Sequence, residues 1–454
     1  MKGSVRVGYL IDGLDDDIGP QPAAISISER DQIRVQVPTI SSAMLRDLPG
    51  ARSLAEKTEA WFREWGAALP EAMEYRDADG AILLTGLSIA LQRGHGVGEG
   101  TLDVDVAILG KPAAMVAEYS IRELESAIDG LHDFSGFRVW RWDEELASSH
   151  HDLVGLRRHT IEPVKWVSRG FNFALQPRDE TLGTEGLRFQ LDESTRLVTI
   201  HEGGATVREH YQAQRSVRAL LVLAFGVPLR WREHWLLDDM FPVRFLSGDL
   251  GRPVRTRVLI SGTLAEHTMK APSRAQLAFP AVRLGELTDE NLERWTSAYL
   301  EDEAFRRAAE PAVEAISLVG MFMETRIMML ASSLEWFGYC GIGRKRVALP
   351  DAIQWTLDCI GIDWAHVGTR KGLAAFAANV NNDLKHPDRE NRPASSQLYA
   401  AMRLMIMAAQ GQLLHKMGVD DVVWENFRES PNVRRVREVF ELNNIRVDGE
   451  GRPV

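Results

Sequence analysis

Residues 311–340 read PAVEAISLVGMFMETRIMMLASSLEWFGYC, and their period decides which half of the chain is helical. Ile316, Val319, Met323, Ile327, Leu330, Leu334 and Phe337 recur at steps of three and four, the stripe of a helix that buries one face. Sustained over about six turns, it predicts one long core helix. LPDAIQWTLDCIG (349–361), GLAAFAANVNNDLK (372–385) and SSQLYAAMRLMIMAAQGQLLHKMG (395–418) follow at short intervals, and long helices with short connections argue for an antiparallel bundle. Gly418 stands at the expected C′ position of the last of these, and the methionines of MRLMIM (402–407) read as core filler. Upstream, Thr288 is a plausible N-cap for TDENLERWTSAYL. RSVRALLVLAFG (215–226) is a helix stopped by Gly226 and Pro228.

Further towards the N-terminus the period shortens to two. GSVRVGYL (3–10), AAISISERDQIRVQVP (23–38), AILLTGLSIALQ (81–92) and GTLDVDVAIL (100–109) alternate apolar and polar residues between Gly, Asp and Pro, as half-buried strands do. Ile25, Ile27, Ile33, Val35 and Val37 flank a polar SERDQ, a hairpin pattern. FSGFRVWRW (134–142), KWVSRGFNFALQ (165–176) and GLRFQLDESTRLVTIHEGG (186–204) continue it, the last with DEST as its turn, and VRTRVLISG (254–262) adds one more strand. PGARSLAEKTEAWFREWGAAL (49–69) and AAMVAEYSIRELESAIDGLH (113–132) read as inserted helices. The expected fold class is α+β. A β-rich antiparallel domain over 1–214 leads through a connecting segment, 215–305, to an all-α bundle over 306–454. The last dozen residues, NNIRVDGEGRPV, look like a loose tail.

The 454 residues are 45% apolar and 26% charged, with a formal net charge of −11. That balance speaks against a protein held on nucleic acid by bulk charge, though not against a local basic groove. Cys340 and Cys359 are the only cysteines; without CxxC or clustered histidines they imply neither structural zinc nor a disulfide framework, and a reducing cytoplasm suits them as ordinary buried thiols. Neither a signal segment nor an apolar run of bilayer length is visible, so no membrane partner is expected.

Candidate chemistry is sparse. GHGVGEG (94–100) lacks the GxGxxG spacing and lies between strands, so it reads as a hairpin loop. SSHHD and WREHWLLDD offer His150, His151, Asp152, His234 and Asp238; the last two would share a helix face, no third ligand stands at a readable spacing, and surface polar residues are the default. AANVNNDLKHPDRENRP (377–393) carries more. On a helix, Leu373, Phe376, Ala377, Val380 and Leu384 form its buried stripe, while Asn379, Asn382 and His386 fall along one flank. Lys385 and Arg389 add positive charge. These residue types fit a solvated helix terminus or a site handling a phosphodiester, and spacing alone does not choose between them.

The stretch NVNNDLKHPDR, late in a helical C-terminal region, resembles the signature of HEPN-domain ribonucleases: an arginine, a polar residue, and a histidine a few positions on. SVRVGYLIDG, RSVRALLVLAFGVPLRW, NLERWTSAYL, VEAISLVGMFMETRIMMLASSLEW and NNDLKHP occur in the order seen in ApeA-type anti-phage proteins, which join a β-rich domain to an Apea-like HEPN domain. The resemblance implies an endoribonuclease that needs no metal or other cofactor and acts as a homodimer or higher oligomer. It also implies transfer RNA as the target class, a phage-derived trigger and a role in abortive infection. His386 would be the catalytic histidine and Asn382 the motif's polar residue, with Asn381 and Asp383 orienting groups around the phosphate. Lys385 and Arg389 would supply charge. One departure stands out: Asn381 occupies the arginine position, and a neutral amide replaces a cationic fork. A transition-state contact of that kind is worth about 3–4 kcal/mol, so Lys385, Arg389 or Arg370 would have to fill the gap. The alternative is a HEPN dimer that has lost catalysis and binds RNA, a nucleotide or a phage protein.

Overall fold

The computed structural model describes residues 5–11, 20–40, 56, 69–93, 97–110, 119–142, 156–184, 188–238, 242–245, 247–343, 346–386 and 392–454. The chain is mixed α+β, with an antiparallel β region first and a helical region after it. It forms two compact units that interleave along the sequence. One takes 1–127, 198–211 and 230–270; the other takes 128–197, 212–229 and 271–454. The segment 215–305 is therefore divided between the two units.

The first unit holds β1 (Val5–Ile11), β2 (Gln21–Ile27), β3 (Ile33–Ile40), β4 (Ala72–Asp77), β5 (Gly80–Arg93), β6 (Val97–Leu109) and most of β7 (Ser120–Ile128). The order β6–β3–β2–β1–β4–β5, with β5 paired back onto β6, closes six antiparallel strands into a barrel. The predicted hairpin is β2–β3: Ser28 N donates to Gln32 O at 2.8 Å across the turn. Its odd-numbered residues face inward, and Leu10, Ile25, Val35, Tyr75, Leu84 and Leu102 are fully buried. The barrel is thus filled by side chains, each worth about 1.5–3 kcal/mol for a Val, Leu or Ile.

β8 (Trp140–Trp142), β9 (Leu156–Arg158), β10 (Val164–Ser168), β11 (Phe171–Thr184) and the part of β12 (Arg188–Thr206) up to Leu197 belong to the second unit. β13 (Trp231–Leu237), β14 (Pro242–Arg244), β15 (Leu250–Pro253) and β16 (Thr256–Ile260) complete the strands. In the first unit β16, β13, β7 and the end of β12 extend the sheet from β6. They share a second core of Ile108, Ile121, Leu124, Leu236 and Val258.

Two expectations change here. The helix read over 113–132 is strand β7 from Ser120 on. Its Glu125 and Ser126 are buried and satisfied by Arg255 and His234, so tertiary partners override a helix-favouring composition. The DEST turn is absent too, since β12 runs unbroken through it. Thr195 bonds Ser135 Oγ at 2.8 Å, and Glu193 accepts from Trp140 N at 2.8 Å, which embeds residues whose polarity suggested a turn. The helix read at 49–69 lies outside the described residues, Glu56 and Leu69 excepted.

The second unit is mainly helical: α1 (Val207–Phe225, whose first turn belongs to the other unit), α2 (Asp289–Glu301), α3 (Glu303–Ser317), α4 (Met323–Ile342), α5 (Leu349–Ile360), α6 (Arg370–Lys385), α7 (Ser395–Met417), α8 (Asp421–Arg428) and α9 (Pro431–Leu442). Thr288 caps α2, accepting from Asn291 N at 3.3 Å, and Gly226 and Gly418 end α1 and α7 as expected. α7 packs against α2, α4, α5, α6 and α9, with Ala400, Leu404, Met405, Ala408 and Leu413 fully buried. Its buried amides are bonded, Gln410 to Ala224 O and Gln412 to Thr356 Oγ1. No helix among the described residues is long and apolar enough to cross a membrane.

The opening stretch forms two helices rather than one. α3 ends at Ser317, Gly320 adopts φ +83°, and α4 begins at Met323. Val319 and Phe322 are 77% and 80% exposed, so the apolar period runs on through a turn that only glycine closes without strain. The cysteines also differ from expectation: Cys340 is exposed and Cys359 half-buried. Desolvation pushes both thiols up, away from the thiolate character that makes a cysteine reactive.

Nor is the tail loose. Ile445 and Val447 are buried, Val447 N donates to Val367 O at 2.9 Å, and Val454 N donates to Arg446 O at 2.9 Å. Gly451, at φ +77°, lies so close to α6 that an added Cβ would stand 2.2 Å from Phe376 N. Gly451→Ala should therefore lower stability by about 1–3 kcal/mol, read as a shift of the urea midpoint; an unchanged midpoint would mean that the turn does not bear on α6.

Candidate functional site

α6 carries nearly all of the residues singled out by sequence. Thr369 caps it, accepting from Gly372 N at 3.1 Å, and His386 closes it with φ −116° and its N donating to Asn382 O at 3.1 Å. Pro387 follows, and proline excludes a further helical turn. Lys385 and His386 are exposed, Asn382 and Asp383 half-buried. Arg389 lies outside the described residues.

The inward face is wider than the predicted stripe. Leu373, Phe376, Ala377 and Val380 are buried as expected, and Ala374, Ala378 and Asn381 join them, while Leu384 is half-buried. Asn381 is 1% exposed, and among the described residues neither its Nδ2 nor its Oδ1 has a hydrogen-bond partner. The residue at the arginine position thus faces the packed interior. Arg370 does not fill the gap. It sits at the other end of α6, about 24 Å from His386 at 1.5 Å per residue, where its Nε donates to Ile362 O and its Nη1 meets Asp358 Oδ1 at 3.0 Å.

Around the terminus lies a groove of about 750 Å³ whose lining includes Asn379, Asp383, Arg392, Gln397, Glu450 and Arg452. Asn379 Nδ2 donates to Glu450 O at 3.0 Å, so the C-terminal turn builds one wall. Arg452 pairs with Glu450 at 3.0 Å. Arg392 and Arg452 were missed in sequence. For Arg452 the signal was DGEGRP, a glycine-punctuated turn that can dock as readily as fray. The groove can offer guanidinium and amide donors to an anion; Lys385 and His386 are not among its lining residues.

His234 and Asp238, read as surface residues on a helix, are neither. His234 lies on strand β13 and is fully buried, Nδ1 bonded to Ser126 Oγ at 2.8 Å and Nε2 to Thr263 Oγ1 at 3.2 Å. Asp238 is buried and accepts from Tyr119 Oη at 2.5 Å. Among the described residues no three His, Cys, Asp or Glu side chains converge as a metal site would require. His150, His151 and Asp152 lie outside those residues.

Searches against protein-family models, curated proteins and solved structures find no match for this chain.

Two outcomes follow. A buried amide with both atoms unsatisfied costs about 1–3 kcal/mol, so Asn381→Leu should leave stability unchanged or raise it in urea unfolding; a loss would show that the amide is bonded. Burial pushes the His234 pKa down to about 3, from an ordinary 6.5. The unfolded chain therefore binds the proton first. Stability from this group is complete above about pH 6.5 and falls towards pH 3, by up to about 1.4 kcal/mol per pH unit. Urea midpoints between pH 7 and 4 should fall less steeply for His234→Gln than for the wild type.

Proposed function

We propose that the helical unit is a HEPN-type endoribonuclease, acting in the cytoplasm as a homodimer in anti-phage defence, with transfer RNA as its target class. The observation that carries this reading is the position of His386: an exposed imidazole at a helix end, next to exposed Lys385 and close in sequence to the Asp383 of a polar groove. Histidine is the side chain suited both to take and to give protons near neutrality. In the proposed step one His386 removes the ribose 2′-hydroxyl proton as the O2′–P bond forms. The same histidine of a second copy protonates the departing 5′ oxygen as the P–O5′ bond breaks, leaving a 2′,3′-cyclic phosphate. Asn382 and Asp383 orient groups at the phosphate, and Lys385 supplies charge against the phosphoryl oxygens.

A second reading is favoured by one specific observation, the inward burial of Asn381. Without a cation at that position the same unit would bind RNA or a nucleotide without cutting it. Both readings put a polynucleotide phosphate against the helical unit; they differ in the fate of the bond.

Expression beside His386→Ala, with RNA ends mapped before and after phage exposure, separates the two. Cleavage predicts cyclic-phosphate fragments that fall by about 10²–10⁴-fold in the variant, the usual worth of general acid–base catalysis. Equal fragmentation by both proteins removes His386 from the mechanism and leaves the binding reading.

A further inference from the structure

The second unit holds another groove, of about 860 Å³, whose lining includes Arg294 and Glu301 of α2, Asp302, Arg307 of α3, Trp336 of α4 and Lys416 of α7. It shares no lining residue with the groove beside α6. Gln397 of that groove and Lys416 of this one stand about 28 Å apart along α7, at 1.5 Å per residue. Among the described residues Lys416 has neither a hydrogen-bond nor an ion-pair partner. It is half-buried, its Nζ 4.8 Å from the centroid of the Phe305 ring. Arg294 and Arg307 meet Glu290 and Glu303 one helical turn away, at 2.5 and 2.6 Å, but all four side chains are at least half exposed. Exposed pairs of this spacing contribute little to the fold, so both guanidinium groups are available to a ligand. Gly418, at φ +67°, lets Arg294 lie over the end of α7: a Cβ there would stand 2.2 Å from its Nη1. Arg294 and Lys416 thus gather about one helix end.

Glu301 lies two turns further along α2, about 10 Å from Arg294, and it too has no partner among the described residues. Asp302 gives one oxygen to Phe305 N at 3.1 Å. Trp336 is half-buried, fixed edge-on by Tyr339 at 5.6 Å between ring centroids. The Arg307 guanidinium carbon lies 5.6 Å from the Trp336 centroid, and an exposed cation leaves such a ring at little cost. The groove therefore combines an uncommitted ammonium, an uncommitted carboxylate and an indole. A carboxylate only accepts hydrogen bonds, so Glu301 favours a base edge that donates, the exocyclic amine of adenine or cytosine, over the carbonyl of uracil. We propose that this groove binds a nucleoside monophosphate with an amino-bearing base, its phosphate on Lys416 and Arg294, its base on the face of Trp336 and its amine on Glu301. The volume is that of a small-molecule site. Glu301, Asp302 and Glu303 in the same lining repel further negative charge, so one phosphate fits better than three. The site stands apart from His386 and does not depend on the ribonuclease reading.

Isothermal titration of the full-length protein with adenosine and with the monophosphates of adenosine, cytidine and uridine (AMP, CMP and UMP) tests this. AMP and CMP should bind about tenfold tighter than UMP, the worth of one base contact, and AMP tighter than adenosine triphosphate. Lys416→Met keeps an apolar chain over Phe305 and should weaken AMP about tenfold while leaving adenosine unchanged. Glu301→Gln alters an exposed side chain and supplies an amide that donates to uracil as readily as it accepts from adenine, so the preference for AMP over UMP should vanish. Trp336→Leu should weaken all the nucleotides alike. A 5′-phosphorylated, 2′-O-methylated trinucleotide of adenosine that binds more tightly than AMP assigns the site to the end of an RNA strand; one that binds no tighter assigns it to the free nucleotide. His386→Ala should leave every affinity unchanged. No AMP binding by the wild type at millimolar concentration, equal affinity for AMP and UMP, or wild-type behaviour of both Lys416→Met and Glu301→Gln overturns the proposal. So does binding lost in His386→Ala, which would place the nucleotide at the end of α6.

Discussion

The burial of α6 on three sides fixes what its C-terminal end can present. α4, α5 and α7 pack against it, and the C-terminal turn lies along its flank through Gly451 and the Asn379–Glu450 contact. Small residues at 374, 377 and 378 let those neighbours approach, and in close-packed surroundings a helix has little freedom to rotate. Once Phe376 and Val380 are inside, Asn381 is inside as well, and Lys385 and His386 are left at the surface. The azimuth of each side chain is thus a packing result before it is a chemical one.

That constraint bears on how the unit could handle an anion. A cationic fork at position 381 would have to be desolvated where the asparagine now sits, at several kcal/mol per ion. Positive charge is found elsewhere instead: Lys385 at the end of α6, and Arg392 and Arg452 in the groove.

Much of the fold was legible in the sequence, because local pattern and tertiary environment agreed. The Ile25–Val37 hairpin shows strict alternation, and α1, α2 and α7 carry stop or cap residues where the chain obeys them. The failures share a cause: the deciding partner is remote. Nothing near Glu125 and Ser126 reveals Arg255 and His234, and nothing near Thr195 reveals Ser135. The stripe from Ile316 to Met323 keeps its period through Gly320, so the break between α3 and α4 was hidden by the pattern that announced them. Of the candidate site, α6 and its terminus could be read directly. The inward turn of Asn381 was readable in principle from the alanines one turn and two turns before it. The groove wall was not, because it is made by the last residues of the chain.

The interleaving of the two units carries a consequence for how the protein is made and divided. During synthesis residues 128–197 emerge long before 271–454, the main body of the unit they belong to, and must wait unburied while 198–211 and 230–270 complete the other. Contacts so distant in sequence slow folding and lengthen the exposure of sticky intermediates. No single cut yields two autonomous pieces: a fragment starting at residue 306 would cut into α3 and leave behind α1 and α2, whose Ala224 and Asn291 bond to α7 through Gln410 and the Met417 carbonyl. Dissection of this chain into its two units would have to follow its spatial partition, by circular permutation or paired expression, rather than its linear order.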